Sequence, residues 1–367
     1  MKSNYDLLGN HIRLIDNRNK DLVTEQVLGI NIDKFFMPSV ANVIGTDLSK
    51  YKLIQKGNFA CNPMHVGRDE RLPVALYSED TPAIVSPAYF MFEIKDTTVL
   101  NADYLMMWFR RPEFDRICWL HTDGSVRGGI TWEDICRMEI PVPPIDEQIE
   151  IVSSYQAITE RIKLKKQIND NLEATAQAIY KKLFVEDVDI SELPQDWKLT
   201  ALENVASLSA GGDRPSVYSS FPTNICTVPI FSNGIDEEGL YGYTDKAKIF
   251  DESVTVSARG TVGYVFLREE PYVPIVRLIS VIPKTEYVTA KYLYFALASI
   301  DLHSTGTSQQ QITVPDFKQR LIVVPDRMTM DTFTKFIEPI FSKIKQNKSE
   351  IKSLLGLQAN FLALLSR

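Results

Sequence analysis

His121-Thr-Asp-Gly-Ser-Val-Arg-Gly-Gly-Ile-Thr131 and His303-Ser-Thr-Gly-Thr-Ser-Gln-Gln-Gln-Ile-Thr313 are two versions of one stretch of sequence, 182 residues apart. The histidine, the first glycine, the isoleucine and the final threonine are identical in both. The same spacing continues without a gap to Ile140-Pro-Val-Pro143 and Ile322-Val-Val-Pro325, and a helical pattern follows each of them. Several matches in the same order indicate the duplication of a unit made of one domain and one helix.

The repeat also extends upstream, where Asn101-Ala-Asp-Tyr-Leu105 resembles Thr289-Ala-Lys-Tyr-Leu293 after a shift of six residues. The first copy therefore carries a short insertion, which we place near residues 110–115. A period of this length is too long for a solenoid, so the sequence predicts two domains and not a repeat array.

The composition is that of an ordinary water-soluble protein, with 367 residues, 44% hydrophobic and 24% charged. The net charge of −7 argues against a simple DNA-binding domain acting alone, because phosphate contacts need Lys and Arg. It does not argue against a protein that is basic on one face or that works within a complex. We expect no signal peptide and no membrane span, and therefore a cytoplasmic protein. The four cysteines are far apart and are expected to be reduced thiols.

Two long helices are predicted from apolar residues that recur at alternating steps of four and three. This spacing is the signature of a coiled coil, and each stripe is interrupted by polar residues. In the first helix the apolar residues are Ile151, Tyr155, Ile158, Ile162, Leu172, Ala176, Ile179 and Leu183, and the breaks are Lys165 and Asn169. In the second they are Phe333, Ile337, Ile340, Ile344, Ile351, Leu354, Phe361 and Leu365, and the breaks are Asn347 and Gln358.

The two helices can pack on each other or each on its own domain. Mutual pairing is favoured because the stripes share one register and because a small domain cannot cover so long a helix. Since each helix follows its own domain, a pseudo-two-fold arrangement requires an antiparallel pair. The predicted fold class is therefore mixed α+β, with two pseudo-symmetric α/β domains separated by an antiparallel pair of long coiled-coil helices.

The predicted boundaries follow the repeat. We expect a first recognition domain at 1–144, a first spacer helix at 145–185, a second domain at 195–325 and a second spacer helix at 328–367. A polar linker at 185–194 joins the first helix to the second domain. Strand-like runs are interspersed with helix-like stretches at 102–109 and 290–299. The strand-like runs are 26–30, 83–86, 89–94, 249–250, 254–256, 263–267 and 278–282.

With these features the chain resembles the specificity subunits of type I restriction–modification enzymes over its whole length. The order of domain, helix, domain and helix is that of the family. Ile140-Pro-Val-Pro-Pro-Ile-Asp-Glu-Gln148 is similar to its proline-proline-x-x-Glu-Gln helix entry, and Ser257-Ala-Arg-Gly-Thr-Val-Gly263 to its Ala-Arg-Gly-x-x-Gly turn. Gly306-Thr-Ser-Gln309 precedes the second helix as in the family. The second copy departs from the entry motif, because Asp326-Arg-Met-Thr-Met330 stands in its place.

The resemblance implies a non-catalytic, sequence-specific DNA-binding subunit. Each recognition domain would read one half of a split double-stranded target, and the helices would act as a ruler and dock two methyltransferase subunits. Two translocase–nuclease (restriction) subunits could join them. No cofactor is expected in this chain, since S-adenosylmethionine, ATP and Mg²⁺ would belong to those partners. The host would be a bacterium or an archaeon, and the system would defend it against phage.

Candidate DNA-contact residues lie in polar or glycine-rich loops. Arg can donate two bonds to guanine and Gln can pair with adenine, whereas glycine lets the backbone approach closely. An ordinary surface turn or variable loop filler would look the same. The candidates are Arg259 and Thr261 in the glycine-rich turn; Thr307, Ser308, Gln309, Gln310 and Gln311 in the second repeated loop; Ser125 and Arg127 in the first; and Arg68 and Arg71 near His65. Lys56 and Arg214 are weaker candidates.

Catalytic and metal sites are not predicted. No G-x-G-x-x-G opens a helix, no phosphate-binding loop of the Walker type appears, and the four histidines lack ligand spacing. Three other readings stay open at this stage: a self-sufficient methyltransferase, a coiled-coil scaffold that binds only proteins, and the specificity subunit of a related multi-subunit system that cuts on both sides of its site.

Overall fold

In a computed structural model, the chain forms two compact units. Unit 1 comprises Met1–Lys165 and Ser349–Arg367, and unit 2 comprises Lys166–Lys348. Each unit thus contains part of both long helices. The structure describes residues 5–40, 45–64, 66–122, 128–186, 188–300 and 311–365, without the side chains at 68 and 364.

The described residues of unit 1 that precede unit 2 along the chain form short strands and six helices, the last of which continues into unit 2. The strands are β1 Tyr5–Leu7, β2 Ile12–Ile15, β3 Val27–Ile30, β4 Phe36–Pro38, β5 Lys52–Ile54, β6 Phe59–Cys61, β7 Val74–Leu76, β8 Ala83–Val85, β9 Phe90–Ile94 and β10 Glu139–Pro141. The helices are α1 Leu8–His11, α2 Val66–Asp69, α3 Ala102–Phe109, α4 Pro112–Leu120, α5 Trp132–Cys136 and α6 Ile145–Phe184, with a 3-10 turn at Leu48–Lys50.

Unit 2 follows the same plan. Its strands are β11 Lys198–Ala201, β12 Ala206–Ala210, β13 Val228–Phe231, β14 Leu240–Thr244, β15 Ser253–Val256, β16 Val265–Arg268, β17 Val273–Pro274, β18 Ile279–Pro283 and β19 Leu321–Val324. Its helices are α7 Leu202–Val205, α8 Ala290–Ala298, α9 Val314–Lys318 and α10 Arg327–Leu364, with a 3-10 turn at Asp236–Gly239.

The sheet topology confirms the predicted duplication. The order β2-β9-β6-β7 in unit 1 is repeated as β12-β18-β15-β16 in unit 2. In a second sheet, β3 pairs antiparallel with β4 and parallel with β8, and β13 pairs in the same way with β14 and β17. A two-stranded ladder, β1-β10 or β11-β19, precedes each long helix. The predicted insertion at 110–115 overlaps the start of helix α4, whereas residues 301–310 of unit 2 lie outside the described residues.

Each unit has an aromatic core between its sheets and its helices. In unit 1, Phe59 stacks on Phe92 with ring centroids 5.1 Å apart, and Phe109 packs edge-on against both. In unit 2, Phe184 of α6 and Phe333 of α10 pack against each other with centroids 5.2 Å apart. Burying such rings removes large apolar areas from water, so the ends of the long helices belong to the cores of the units.

The predicted apolar stripes are the faces that the helices bury. All sixteen predicted positions are buried or half-buried. Within unit 1, Thr159 meets Gln358 and Lys165 meets Glu350, so the residue numbers on one helix rise as those on the other fall. Within unit 2, Asn169 meets Asn347 while Phe184 meets Phe333. The helix pair is therefore antiparallel in each unit, as predicted.

The polar breaks in the stripes bond to the opposite helix. Asn347 is fully buried, and its Nδ2 donates to Oδ1 of Asn169 at 2.8 Å. Gln358 Nε2 donates to Thr159 Oγ1 at 2.6 Å, and Lys165 Nζ lies 2.7 Å from a Glu350 carboxylate oxygen. A buried amide in a coiled-coil seam is satisfied in only one register, so these residues set the alignment of the helices at the expense of stability.

Replacing both Asn169 and Asn347 with Leu is expected to raise the melting temperature by about 2–4 °C, because an apolar pair adds about 1 kcal/mol to the seam. Sedimentation should then reveal additional oligomers, since the seam no longer selects one partner register. Asn347→Leu alone serves as the control. It should lower the melting temperature, because it leaves the Asn169 amide without its partner. A double variant that is less stable than the wild type would contradict a register-setting role.

The two long helices begin differently. Gln148 is fully buried at the start of α6, where its Nε2 donates to the Val99 and Pro143 carbonyls and its Oε1 accepts from the Asn101 amide. In unit 2 the equivalent residue is Met330, which is apolar and equally buried. Asp326 instead caps α10 by accepting from the Thr329 amide at 3.0 Å. The departure from the entry motif is thus a change from a buried amide bridge to a side-chain cap.

Candidate nucleic-acid interface

The glycine-rich turn predicted to touch DNA connects β15 to β16 in unit 2. The Ser257 amide donates to the Tyr264 carbonyl at 2.9 Å, and the Gly263 amide donates to the Ser257 carbonyl at 2.9 Å. Gly260 has a φ of +74° and open space where a Cβ would stand, which is a backbone conformation that favours glycine. Arg259 and Thr261 are both exposed on this turn.

Asn233, in the loop after β13, holds the turn in place. Its side-chain Oδ1 accepts from the Ala258 amide at 2.8 Å, and its carbonyl accepts from Thr261 Oγ1 at 2.7 Å. The same side chain donates through Nδ2 to the Val276 carbonyl at 2.7 Å. The Thr261 hydroxyl therefore supports the turn while its side chain stays exposed.

The second repeated loop ends beside this turn. The Ile312 amide donates to the Ala258 carbonyl at 3.0 Å, which brings exposed Gln311 next to the Arg259 turn. The candidates Thr307, Ser308, Gln309 and Gln310 lie outside the described residues. The glycine-rich turn and the end of the second repeated loop, which were predicted separately as DNA contacts, therefore lie side by side in unit 2.

Unit 1 has the same junction. The Ile130 amide donates to the Pro63 carbonyl at 3.1 Å, and the Gly67 amide donates to the Gly128 carbonyl at 3.0 Å. Ile130 and Ile312 are equivalent repeat positions, so both units place the repeated loop against the turn that follows the equivalent strand, β6 or β15. Ser125 and Arg127 lie outside the described residues, and only the backbone of Arg68, in α2, is described.

The candidate cations of the two units differ in their partners. Arg71 in unit 1 is half exposed, and its Nη1 lies 3.1 Å from Oδ1 of Asp33. Lys56 pairs with Asp80 at 2.7 Å. In unit 2, four exposed cations have no carboxylate partner among the residues that the structure describes: Arg214, Lys248, Arg259 and Arg277. Local positive charge can therefore face DNA although the chain is acidic as a whole.

Comparison with known proteins agrees with this organisation. The family model described as the type I restriction modification DNA specificity domain matches residues 194–354. A protein of Mycoplasma pneumoniae, named as the C-terminus of a type I specificity subunit, is 36% identical over 100 residues, which cover 27% of this chain and 68% of that protein. The chain belongs to the type I specificity subunits.

Two further comparisons extend over more of the specificity subunit. Another M. pneumoniae protein named as a type I specificity subunit is 27% identical over 246 residues, 66% of this chain and 65% of that protein. The alignment thus spans just under two thirds of that relative's length. The crystal structure of the type I restriction–modification system S subunit from M. genitalium superposes with a TM-score of 0.60 at 15% identity, over 98% of this chain and 95% of that one. This match shows the shared fold.

Specificity subunits are the non-catalytic members of type I restriction–modification systems, in agreement with the prediction that this chain is not an enzyme. Among the described residues no three His, Cys, Asp or Glu side chains form a metal site. Burial raises the pKa of Cys61 to about 12, so this thiol stays protonated and is a poor nucleophile. His11 lies 3.0 Å from Asp6, whereas His65 and His303 are outside the described residues. No helix in the described ranges is long and apolar enough to cross a membrane.

Sequence reasoning missed two residues of the specificity subunit's unit 2 surface. Asn233 joins three loops, and the dipeptide Asn233-Gly234 is a turn signal that could have drawn attention to it. Arg277 lies in a turn without glycine, proline or asparagine at its centre. No local pattern marked it, because its position depends on contacts with distant parts of the chain.

Proposed function

We propose that this specificity subunit reads a split double-stranded DNA target, with unit 1 reading one half and unit 2 the other. One observation carries the proposal: both units present the same backbone junction with different side chains. Ile130 and Ile312 make equivalent hydrogen bonds to Pro63 and Ala258. Two domains that recognise different half-site sequences need the same backbone arrangement with different polar side chains.

The side chains around the two junctions differ in ways that would select different bases. Unit 1 carries Asn62 and Met64 after β6 and Gly128-Gly129 in the repeated loop, whereas unit 2 carries Arg259 and Gln311 at the corresponding places. Asparagine and glutamine suit adenine, arginine suits guanine, and a methionine offers only apolar contact. The two half-sites should therefore be unlike in sequence.

The partners of the proposed complex are two methyltransferase subunits and, where the system also cleaves, two translocase–nuclease subunits. They would bring S-adenosylmethionine, ATP and Mg²⁺, and the complex would work in the cytoplasm of a bacterium or an archaeon. In a related system that cuts on both sides of its site, the specificity subunit would likewise bind DNA while its partners carry out the chemistry. A protein-binding scaffold is the remaining alternative, and the exposed cations of unit 2 that have no carboxylate partner within the described ranges count against it.

Footprinting of the complex reconstituted with methyltransferase subunits from its host tests the proposal. We expect two protected patches about one helical turn apart, roughly 34 Å between centres, with an unprotected spacer between them. Methylated adenines mapped in host DNA should fall within the same two patches. A complex that assembles but protects no DNA would support the scaffold and overturn the proposal.

Arg259→Ala and Gln310→Ala are each expected to weaken recognition of the second half-site by about 1–3 kcal/mol, because each removes donors suited to a base edge. Protection of the first half-site should not change. Arg137→Ala, which removes an exposed arginine of unit 1, is the control for loss of charge and should leave the second half-site unaffected. An equal loss of affinity for random DNA would contradict base reading by Arg259 or Gln310.

A further inference from the structure

The turn between β17 and β18 in unit 2 has an unusual backbone. The Leu278 amide donates to the Ile275 carbonyl at 3.0 Å, and the two central residues, Val276 and Arg277, have φ values of +52° and +61°. Two consecutive positive φ values are those of a type I′ turn, for which Asn-Gly is strongly preferred. A β-branched residue with positive φ is a genuine outlier, so this sequence holds the turn against its local preference.

The surrounding structure imposes this conformation. The Val276 amide donates to the Gly212 carbonyl at 2.8 Å, and the Arg277 amide donates to the Gly211 carbonyl at 2.9 Å. A Cβ on Gly211 would lie 2.6 Å from the Pro274 carbonyl carbon, so only glycine allows the two segments to approach this closely. On the other side, Asn233 Nδ2 donates to the Val276 carbonyl.

These contacts fix the backbone conformation at Arg277. Arg277 is exposed and has no carboxylate partner among the residues that the structure describes. Its turn and the Arg259 turn bond to the same Asn233 side chain, one through Nδ2 and the other through Oδ1. One amide therefore holds the backbones of the Arg277 and Arg259 turns in a set relation to each other.

We propose that Arg277 is a base-reading residue of unit 2, directed at a guanine of the second half-site, and that Asn233 is the positioning residue for Arg277 and Arg259. This inference rests on the proposed function. A phosphate contact needs no strained backbone, because a flexible lysine or arginine can reach a phosphate from many positions. A two-bond contact to one guanine depends on direction, and backbone strain is retained where the surroundings and the function require one geometry.

The decisive variant replaces the turn with its preferred sequence. Val276→Asn with Arg277→Gly should raise the melting temperature, because these residues suit the turn, and at the same time weaken binding to the cognate duplex about 10- to 100-fold. Val276→Asn alone is the matched control: it should stabilise the protein and leave DNA binding unchanged. A merely structural role for the turn predicts that both variants bind as the wild type does.

Binding is measured with the complex assembled with its methyltransferase subunits, on the cognate duplex and on duplexes changed one base pair at a time. For Arg277→Ala and Arg277→Lys, we expect one G·C position of the second half-site to lose its influence on affinity. Asn233→Ala should reduce discrimination at that position and also at the position read by Arg259. Equal losses on cognate and random DNA, with the salt dependence reduced by about one ion, would identify a phosphate contact and overturn base reading.

The wild-type complex separates this inference from the proposed function. If the wild-type complex protects both half-sites and the Arg277 variants discriminate bases as well as the wild type does, the role proposed for Arg277 is wrong. The proposed function then still stands. If the assembled wild-type complex protects no second half-site, the proposed function fails and the inference fails with it.

Discussion

Asp115→Asn is expected to lower the free energy of unfolding of unit 1 by about 3–5 kcal/mol, because it leaves a buried lysine without its counter-charge. Lys34 Nζ lies 2.5 Å from Asp115 Oδ1, and the two side chains are only 5% and 12% exposed. The same carboxylate oxygen accepts from the Leu72 amide at 3.1 Å. The pair thus fastens helix α4 to two loops of unit 1.

The loss should depend on pH. Burial lowers the pKa of Lys34, and the charge of Asp115 opposes that lowering. Without the carboxylate, the pKa of Lys34 falls further, so folded Asp115→Asn binds fewer protons than its unfolded chain up to the ordinary lysine value of 10.5. Its stability therefore rises with pH over that window, and the deficit against the wild type should be smaller at about pH 9.5 than at pH 7.

Urea unfolding followed by tryptophan fluorescence measures this effect. Three of the four tryptophans, Trp108, Trp119 and Trp132, lie in unit 1, so the signal reports mainly on that unit. The double variant Lys34→Met with Asp115→Leu is the control and should recover most of the stability, because an apolar pair of similar size needs no counter-charge. A deficit that is the same at both pH values would show that Lys34 is not the group responsible.

Arg268→Ala is expected to destabilise unit 2 by about 2–4 kcal/mol, because it opens a cavity and leaves a carbonyl unsatisfied. Arg268 is almost fully buried in β16, and its Nη2 donates to the Glu238 carbonyl at 2.6 Å while its Nε donates to Thr255 Oγ1 at 2.9 Å. The guanidinium also lies 3.6 Å from the ring centroid of Phe231. Glu238 has a φ of +58°, a conformation that is uncommon for a residue with a side chain.

Hydrogen exchange followed by mass spectrometry locates this loss. Peptides from β15 and β16 should exchange faster in Arg268→Ala, whereas peptides from β6 and β9 of unit 1 should not change. Arg268→Lys is the matched variant, because it keeps the charge but not the planar guanidinium group. Its exchange rates in β15 and β16 should lie between those of the wild type and those of Arg268→Ala. Unchanged protection of β15 and β16 would mean that the hydrogen bonds of Arg268 add little to the fold.

Periodicity in the sequence predicted the long helices and the inner strands. Residues three and four positions apart lie on the same face of a helix, so a short stretch of sequence shows which face is apolar. Every apolar position predicted in this way is buried or half-buried. The runs at 83–86, 89–94 and 254–256 likewise correspond to β8, β9 and β15. The three-residue strands β1 and β5 were not predicted, because each includes a charged residue and neither forms a run of apolar side chains as β8 does.

The candidate site was likewise predicted only in part. The Arg259 turn and the Gln311 loop have local signals, namely glycines and a run of polar side chains. Asn233 acts through hydrogen bonds to residues 25, 28 and 43 positions away, and Arg277 depends on Gly211 and Gly212. Such contacts leave no pattern within a short window of sequence.

The amino-acid sequence by itself determined the duplicated plan, the antiparallel helix pair and the family, because repeats and periodic stripes are properties of neighbouring residues. Only the tertiary structure decided which arginines are free to meet a ligand. Arg71 and Arg259 look alike in the sequence, yet Arg71 has Asp33 beside it, 38 positions away along the chain, and Arg259 has no carboxylate partner within the described part of the chain. Coulomb energy depends on the distance through space and not on the distance along the chain, so only folding could assign these partners.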